Sequence, residues 1–347
     1  MTRNLEFCYL PDELQSVATM PHPGGRGGSL TGLQHLPRTG ICRMPPRMDP
    51  NGRRRRKGRA VHGWLVLDKA HGLGSTKAVG WARWLLEARK AGHAGTLDPL
   101  ATGILPIAFG EATKTVPWMV NAAKAYQFNV AWGAETATGD LEGEVVERSD
   151  HRPREADVLA ALPAFVGDIE QVPPRYSAVK IDGRRAYDLA RAGEDVEVPS
   201  RVVRVDDLRL TAFSADSATL EVDCGKGTYV RSLARDLARA VGTVGHVTHL
   251  RRTRVGPFGL EVATTLDAVE AMDYATRVGA LLPLRCALDD IPVLAVDARG
   301  ASDLKQGRRI PLPSPHTGTV LVVSEGVEVA VCEAGDGELI PKRVFNL

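Results

Sequence analysis

Residues 92–103 of the chain read GHAGTLDPLATG, and this stretch is the least generic part of the sequence. Gly92, Gly95 and Gly103 permit backbone conformations that other residues avoid, and a proline follows Asp98 directly. A charged side chain among apolar neighbours needs a partner or a chemical task. Two interpretations of Asp98 stay open at this point, a structural helix cap or Asp-Pro turn and a functional carboxylate.

The segments on either side of this loop have the apolar patterns of regular structure. Residues 64–67 and 104–109 are apolar runs of strand length. Apolar residues spaced at helical intervals over 79–86 predict a helix between them, with Ser75 or Thr76 as its cap. The loop is therefore expected to join elements of a folded domain.

The rest of the pattern predicts an α/β domain followed by a small β domain. Residues 126–132 alternate with the period of a half-buried strand, with Tyr126 on its apolar face. Thr228 can cap a helix that continues to Ala240. Further expected elements are helices near 111–121, 156–165 and 186–192, strands at 202–211, 218–224 and 246–255, and short strands at 292–296, 318–323 and 327–332. We predict an α/β (α+β) fold with a mixed, mostly antiparallel central sheet flanked by helices, plus a small C-terminal β-rich domain.

A basic partner for Asp98 is available in residues 226–231, KGTYVR. Tyr229 and Arg231 lie two residues apart at a predicted helix start, where backbone N–H groups favour an anion. A guanidinium can hold a carboxylate through two hydrogen bonds and keep it ionised. Spacing does not show whether Arg231 meets Asp98. Tyr126 also has two open interpretations, a ring for a base to stack on and plain core packing.

The charge of the chain is unevenly distributed, although the total is only +2. Residues 1–59 hold 11 basic and 4 acidic residues, a net of +7, and the remaining 288 residues have a net of −5. With 8 glycines and 7 prolines, the first segment cannot bury enough apolar surface to fold. We expect a disordered basic leader over 1–59, with a natural start of the chain near Met48. Whether its basic run contacts RNA or is a solvated tail stays open.

Several classes of protein and site are excluded by the composition. Five cysteines lie far apart without a CxxC pair, which favours free thiols in a reducing compartment. Apolar runs are far shorter than the roughly 20 residues of a membrane span, and the first ten residues lack a secretory pattern. No spacing of His, Cys and carboxylates indicates a metal site, and no phosphate-loop or hydrolase motif is present. We expect a cytoplasmic protein without metal or cofactor.

Taken together, the ordered motifs resemble one family, the TruB-type tRNA pseudouridine-55 synthases. The resemblance implies a catalytic domain at 60–290 and, from a weaker match, a PUA-like RNA-binding domain at 291–347. One departure is visible, since Ala70 follows Asp68-Lys69 where the family usually has proline. The matching blocks are residues 63–69 (GWLVLDK), 92–103, 110–114 (GEATK), 124–126 (KAY), 173–180 (PPRYSAVK), 226–231 and 249–252 (HLRR).

The resemblance assigns a role to each candidate site residue. It implies that Asp98 is the catalytic nucleophile, that Arg231 is its salt-bridge partner, and that Tyr126 stacks on the target uracil and takes the C5 proton. The other residues implicated in substrate binding are His93 beside the displaced base, Tyr229 and Leu250 in the base pocket, and Lys69, Asp140 and Lys180, the last on a strand over 171–180.

The reaction implied is the isomerisation of the T-loop uridine at position 55 of tRNA. The target base must be flipped out of the folded RNA before its N1–C1′ bond is exchanged for a bond from C5. The expected partner is tRNA, through the T-stem-loop and acceptor stem, bound by a monomer with no protein partner and no membrane. A role in tRNA folding can coexist, and a locally basic groove is expected from Lys69, Lys180, Arg231, Arg251 and Arg252.

Two alternatives to this function stay open. One is a catalytically silent RNA-binding or tRNA-folding protein on the same scaffold. The other is a sibling enzyme that acts on other RNA with a guide RNA.

Overall fold

The computed structural model describes residues 58–347, apart from residues 178, 182, 192–197 and 314. The predicted basic leader, except its last two residues, and the expected start near Met48 lie outside the described residues. The side chain of Lys180 lies outside them as well. Within the described part of the chain, no helix is long and apolar enough to cross a membrane.

Most of the regular structure is β. In chain order the strands are β1 (Gly63–Lys69), β2 (Ala91–His93), β3 (Thr102–Phe109), β4 (Lys124–Trp132), β5 (Ala134–Thr136), β6 (Val145–Arg148), β7 (Gly167–Gln171), β8 (Lys180–Ile181), β9 (Arg184–Arg185), β10 (Arg201–Ser214), β11 (Ser217–Cys224), β12 (Gly245–Val255), β13 (Phe258–Gly259), β14 (Val293–Ala295), β15 (Ile310–Pro311), β16 (Gly318–Ser324), β17 (Val327–Gly335) and β18 (Glu338–Val344).

Helices are shorter and lie between these strands. The α-helices are α1 (Ser75–Leu85), α2 (Val116–Asn121), α3 (Glu155–Ala161), α4 (Ala186–Arg191), α5 (Val230–Ala240), α6 (Leu266–Ala271), α7 (Tyr274–Gly279) and α8 (Ala298–Lys305). Short 3₁₀ helices cover Gly110–Lys114, Leu162–Phe165, Leu260–Val262 and Leu284–Leu288.

A nine-stranded sheet forms the centre of the larger part of the fold. Its main order is β1-β3-β12-β4-β11-β10-β7, with β2 paired to β3 and β13 paired to β12. The pairing of β12 with β3 is parallel and the other described pairs of this sheet are antiparallel. The predicted mixed, mostly antiparallel sheet is confirmed. Alternation along β4 buries Phe128, Val130 and Trp132 in the core, as its period indicated.

A second sheet of five strands, in the order β14-β16-β17-β18-β15, forms the C-terminal β-rich part. Its small core includes Leu304 of α8 together with Val320, Val329 and Leu339. The short strands and turns were predicted, but α8 was not. Asp297 caps this helix by accepting from Gly300 N at 2.7 Å, a signal that the sequence does carry.

Three local predictions are wrong. Gly74, not Ser75 or Thr76, is the N-cap of α1, because the hydroxyl of Ser75 is used by the loop at Leu97 instead. Tyr229, not Thr228, is the N-cap of α5, without a side-chain cap bond. The strand expected over 171–180 ends at Gln171, since Pro173 and Pro174 follow at once and proline cannot donate to a sheet.

Gly103 is required where β3 meets β12. Its φ is +97°, and a Cβ at this position would lie 2.1 Å from the Arg252 carbonyl oxygen. We expect Gly103→Ala to lower the free energy of unfolding by at least about 2 kcal/mol, because the backbone of β3 or β12 must move to make room for the new methyl group. Urea unfolding followed by circular dichroism measures the loss.

The matched control is Gly80→Ala in α1, where an added Cβ has nothing within 4 Å. This change should leave stability unchanged or raise it by up to about 1 kcal/mol, because alanine favours helix. Equal stabilities for the two variants would contradict the packing of β3 against β12.

Candidate active site

The loop 94–101 joins β2 to β3 and presents Asp98 to solvent. The hydroxyl of Ser75 donates to Leu97 O at 2.7 Å and accepts from Leu97 N at 2.9 Å. Leu97 and Leu100 are buried on either side, while 38% of the Asp98 side chain is exposed. Asp98 caps no helix among the described residues, so that part of the structural interpretation is wrong, but the Asp-Pro turn is present, since Asp98 O accepts from Ala101 N at 3.1 Å. The turn leaves the Asp98 carboxylate accessible.

Arg231, in the first turn of α5, lies against that carboxylate. Its Nη2 is 2.8 Å from Asp98 Oδ2, and the arginine side chain is only 6% exposed. Nη2 also donates to Tyr176 O at 3.0 Å, and Nη1 donates to Thr138 O at 2.6 Å. The structure thus brings together the two residues whose meeting the spacing left open, in a charge-assisted pair.

Asp140 approaches the same guanidinium from the other side. Its Oδ2 is 3.5 Å from Arg231 Nη1, and its side chain is 3% exposed. The other carboxylate oxygen accepts from Thr138 Oγ1 and from Glu142 N. The turn before it passes close to α5, since a Cβ on Gly139 (φ +74°) would lie 3.4 Å from Arg231 Cβ. Asp140 is a buried counter-charge that supports Arg231 rather than a group open to substrate.

Lys69 and Arg252 hold the loop that carries Asp98. The fully buried Lys69 ammonium donates to Ala70 O at 3.0 Å, Leu73 O at 2.8 Å and Pro99 O at 3.3 Å. Arg252, 2% exposed, donates to Ile104 O at 2.7 Å and reaches the carbonyls of Gly95 and Thr96. Both cations donate hydrogen bonds to backbone carbonyl oxygens of the loop, and these bonds fix its position.

This arrangement corrects part of the basic groove expected from the sequence. Lys69 and Arg252 are buried, and Arg251 is held by Asp68 through two hydrogen bonds of 3.0 and 2.7 Å. The sequence could not distinguish a buried cation from an exposed one.

Burial of the Lys69 ammonium changes its pKa strongly. It lowers the pKa of Lys69 from 10.5 to about 8, with the nearby Asp98 charge opposing the change and Arg252 adding to it. Lys69 and Asp98 are therefore electrostatically coupled, even though the ammonium donates its hydrogen bonds to carbonyl groups.

Sequence comparison supplies the family. Residues 83–230 match the family described as TruB family pseudouridylate synthase (N terminal domain), and residues 231–290 match the tRNA pseudouridylate synthase B C-terminal domain. The matches cover more than half of the chain. The chain belongs to the TruB family of pseudouridylate synthases. It is therefore an isomerase, and the family resemblance noted in the sequence is confirmed.

Relatives of this pseudouridylate synthase cover most of its length. A protein from Caulobacter vibrioides named tRNA pseudouridine synthase B is 53% identical over 85% of this chain and 99% of its own. A protein of the same name from Bradyrhizobium diazoefficiens is 53% identical over 84% of this chain and 88% of its own. A solved H/ACA RNP structure with a bound substrate RNA shares the fold, with a TM-score of 0.63 and 23% identity over 82% of this chain and 85% of its own.

Tyr126 and Leu250 of the synthase lie on neighbouring strands of the central sheet. Tyr126 on β4 is opposite Arg252 on β12, and Leu250 is opposite Phe128 on the same strand pair. Burial raises the pKa of Tyr126, and the positive charge of Arg252 offsets part of that rise. The phenol is therefore neutral at neutral pH, and it lies near Asp98, whose negative charge also raises its pKa.

His93 and Tyr229 lie next in sequence to the elements that carry the Asp98–Arg231 pair, since His93 ends the strand before the Asp98 loop and Tyr229 is the N-cap of α5. His93 ends β2, and burial lowers the pKa of its ring, so the imidazole is neutral. The Gln171 side chain holds Tyr229 at both backbone groups, accepting from its N–H at 2.8 Å and donating to its carbonyl at 3.1 Å. The Arg201 guanidinium lies 4.9 Å from the centre of the Tyr229 ring. Lys180 lies in β8, paired with Arg185.

The described residues leave a cleft of about 1580 Å³ beside Arg231. It is lined by polar groups and short apolar side chains, among them Thr138, Tyr176, Ser232 and Arg235. The cleft is open to solvent and lies beside Arg231, whereas Asp98 is not among the residues that line it.

The coupling of Lys69 to Asp98 predicts a measurable titration. We expect the Lys69 ¹³Cε resonance to titrate near pH 8, and the Asp98→Asn variant to lower that pKa further, because it removes the negative charge that raises it. Nuclear magnetic resonance of ¹³C-labelled lysine measures both values.

As a control, Asp157→Asn removes an exposed carboxylate on α3 and should leave the titration of Lys69 unchanged. A Lys69 pKa near its ordinary value of 10.5 would contradict the buried position of this ammonium.

Proposed function

We propose that this synthase converts the uridine at position 55 in the T-loop of tRNA to pseudouridine, with Asp98 as nucleophile. The salt bridge of 2.8 Å between the half-exposed Asp98 and the buried Arg231 is the observation that carries the proposal. Relatives that are 53% identical and named tRNA pseudouridine synthase B support the substrate class. The set of Asp98, Tyr126 and Arg231 argues against a silent RNA-binding protein.

The chemistry requires an ionised carboxylate that can reach the target nucleotide. The N1–C1′ bond breaks, the uracil turns, and a C5–C1′ bond forms. The C5 proton is released to solvent and N1 takes up a proton from solvent, so the atoms balance without an added reactant. Asp98 can attack C1′, attack C6 of the ring, or act on a route through a glycal. All three routes use the same carboxylate, and Arg231 keeps it charged and aimed.

Tyr126 is proposed to stack on the uracil and to receive the C5 proton. Its neutral phenol suits stacking. To take the C5 proton, the phenol must pass its own proton to solvent in the same step, and the adjacent Arg252 is placed to stabilise the negative charge that develops on the phenol oxygen. Leu250 and Tyr229 are proposed walls of the base pocket. A dry pocket protects the detached base from loss to water.

Binding of the RNA is proposed to begin with flipping of the target base. The neutral imidazole of His93 can stack in the gap that the base leaves. Lys180 and the cleft beside Arg231 are proposed to contact the RNA, whereas Lys69 and Asp140 act by supporting the site. We propose residues 60–290 as the catalytic domain and residues 291–347 as a PUA-like domain for the acceptor stem, in a cytoplasmic monomer that needs no cofactor.

Tritium release tests the reaction directly. Purified protein is incubated with a tRNA transcript that carries tritium at uracil C5, with EDTA and without added cofactor. We expect stoichiometric release from the wild type, and release from Asp98→Asn reduced by at least about 10⁴-fold because the nucleophile is gone, with tRNA binding retained.

Asp157→Asn, on the exposed face of α3, is the matched control and should retain full release. Turnover by Asp98→Asn would show that another residue is the nucleophile. A folded wild-type protein that binds tRNA without releasing tritium would instead favour a silent binding protein or an enzyme for another RNA.

A further inference from the structure

Two residues of the 3₁₀ helix Gly110–Lys114 bind the end of the C-terminal β part. Lys114 Nζ donates to Val344 O at 2.7 Å, and Glu111 Oε2 accepts from Asn346 N at 2.9 Å. The two side chains also pair with each other, at 2.6 Å between Lys114 Nζ and Glu111 Oε2. Both residues bind backbone atoms, so the contact depends on where the chain lies rather than on which side chains it carries.

The same short helix is fixed from its other side. Glu111 N donates to His62 Nδ1 at 3.0 Å, and Gly110 N donates to Lys90 O at 3.0 Å. Gly110 has a φ of +53°, and a Cβ there would lie 2.3 Å from Val61 O. The helix is thus held by two separate segments before it binds the C-terminal strand, which makes it a rigid support.

The charges at this contact are well matched. Burial by itself would raise the pKa of Glu111, but the hydrogen bonds from Lys114 and from Asn346 N outweigh burial and lower it. The Glu111 side chain is 17% exposed and that of Lys114 is 29% exposed, so solvent screens the pair only in part.

Strand β3 connects this contact to Asp98. It begins four residues after Asp98 and ends at Phe109, directly before Gly110. Its residues from Gly103 to Phe109 are all buried. At about 3.3 Å per residue, the strand spans about 23 Å from Thr102, near the Asp98 loop, to Phe109, next to the 3₁₀ helix. One buried strand therefore sets the separation of the nucleophile from the point where the C-terminal part is held.

We propose that Glu111 and Lys114 form a clamp that fixes the C-terminal β part at a set distance from Asp98 and thereby selects for RNA long enough to contact both. This inference rests on the proposed function. Binding of an RNA that reaches only the site around Asp98 does not depend on the clamp. A full tRNA that also contacts the C-terminal β part gains binding energy from that contact only if this part is held in place.

The test compares two substrates of different length, a full tRNA transcript and an isolated T-arm stem-loop. Glu111→Ala removes the acceptor for Asn346 N and the charge that pairs with Lys114. It should raise KM for tRNA by about fivefold or more, with kcat within about twofold and with the stem-loop KM unchanged, because only uniform binding of the longer RNA is lost.

Two further variants separate positioning from plain stability. Glu111→Gln keeps an oxygen acceptor for Asn346 N and should recover most of the tRNA KM. Asp297→Ala removes the cap of α8 within the C-terminal part without touching the clamp, and it should leave both KM values within about twofold of the wild type, because the clamp still holds that part. Equal effects of Glu111→Ala on both RNAs, or no effect on tRNA, would overturn the clamp.

The rate of hydrogen exchange at the Asn346 backbone amide reports on the clamp in the absence of RNA, because this amide donates to Glu111. Glu111→Ala should speed this exchange by about tenfold or more, and Glu111→Gln should not, because the amide loses its acceptor only in the first variant. Unchanged exchange in Glu111→Ala overturns the clamp. Wild-type protein that is inactive on both RNAs would overturn the proposed function alone, since the exchange result would still decide the clamp.

Discussion

The buried guanidinium of Arg231 is the constraint on which the rest of the site depends. A charge removed from water costs several kcal/mol unless counter-charges and hydrogen bonds replace its hydration. Here the replacements are the carboxylates of Asp98 and Asp140 and the carbonyls of Thr138 and Tyr176. These groups come from three separate loops. Each loop is therefore positioned by its need to satisfy one side chain, and the site forms only when the central sheet has brought all of them to the start of α5.

Unequal exposure of the two carboxylates separates their roles. Asp140 is enclosed by its own turn, whereas more than a third of the Asp98 side chain is open. Asp140 thus balances the charge of Arg231 permanently. Asp98 can exchange its contact with solvent for a contact with a substrate, and Arg231 still keeps a counter-charge. Behind Asp98, the buried cations Lys69 and Arg252 bind loop carbonyls and prevent the loop from moving away. The site is therefore held rigidly around Asp98 and is open on the solvent side of this carboxylate.

Much of the fold was predictable from the sequence, because strands such as 218–224 and 126–132 obey the period of a half-buried sheet. The errors lie where tertiary contacts decide. Ser75 has the chemistry of a helix cap, but a loop distant in sequence uses its hydroxyl. Lys69 and Arg252 have the positive charge expected of an RNA-binding groove, but both side chains are buried and donate to backbone carbonyls. The family resemblance named Asp98 and Arg231, whereas periodicity alone left their pairing open, since their separation of 133 positions contains no geometric signal.

The proposed function requires that Asp98, held by Arg231, faces the ribose of a flipped uridine. A crystal structure of the Asp98→Asn variant bound to a T-arm stem-loop tests it most directly. We expect the target uridine to lie out of its stack, between Tyr126 and Leu250, with C1′ or C6 within about 3.5 Å of the side chain at position 98. A uridine that stays stacked in the RNA loop, or that lies in the pocket with its ribose and ring out of reach of position 98, would show that Asp98 is not the nucleophile.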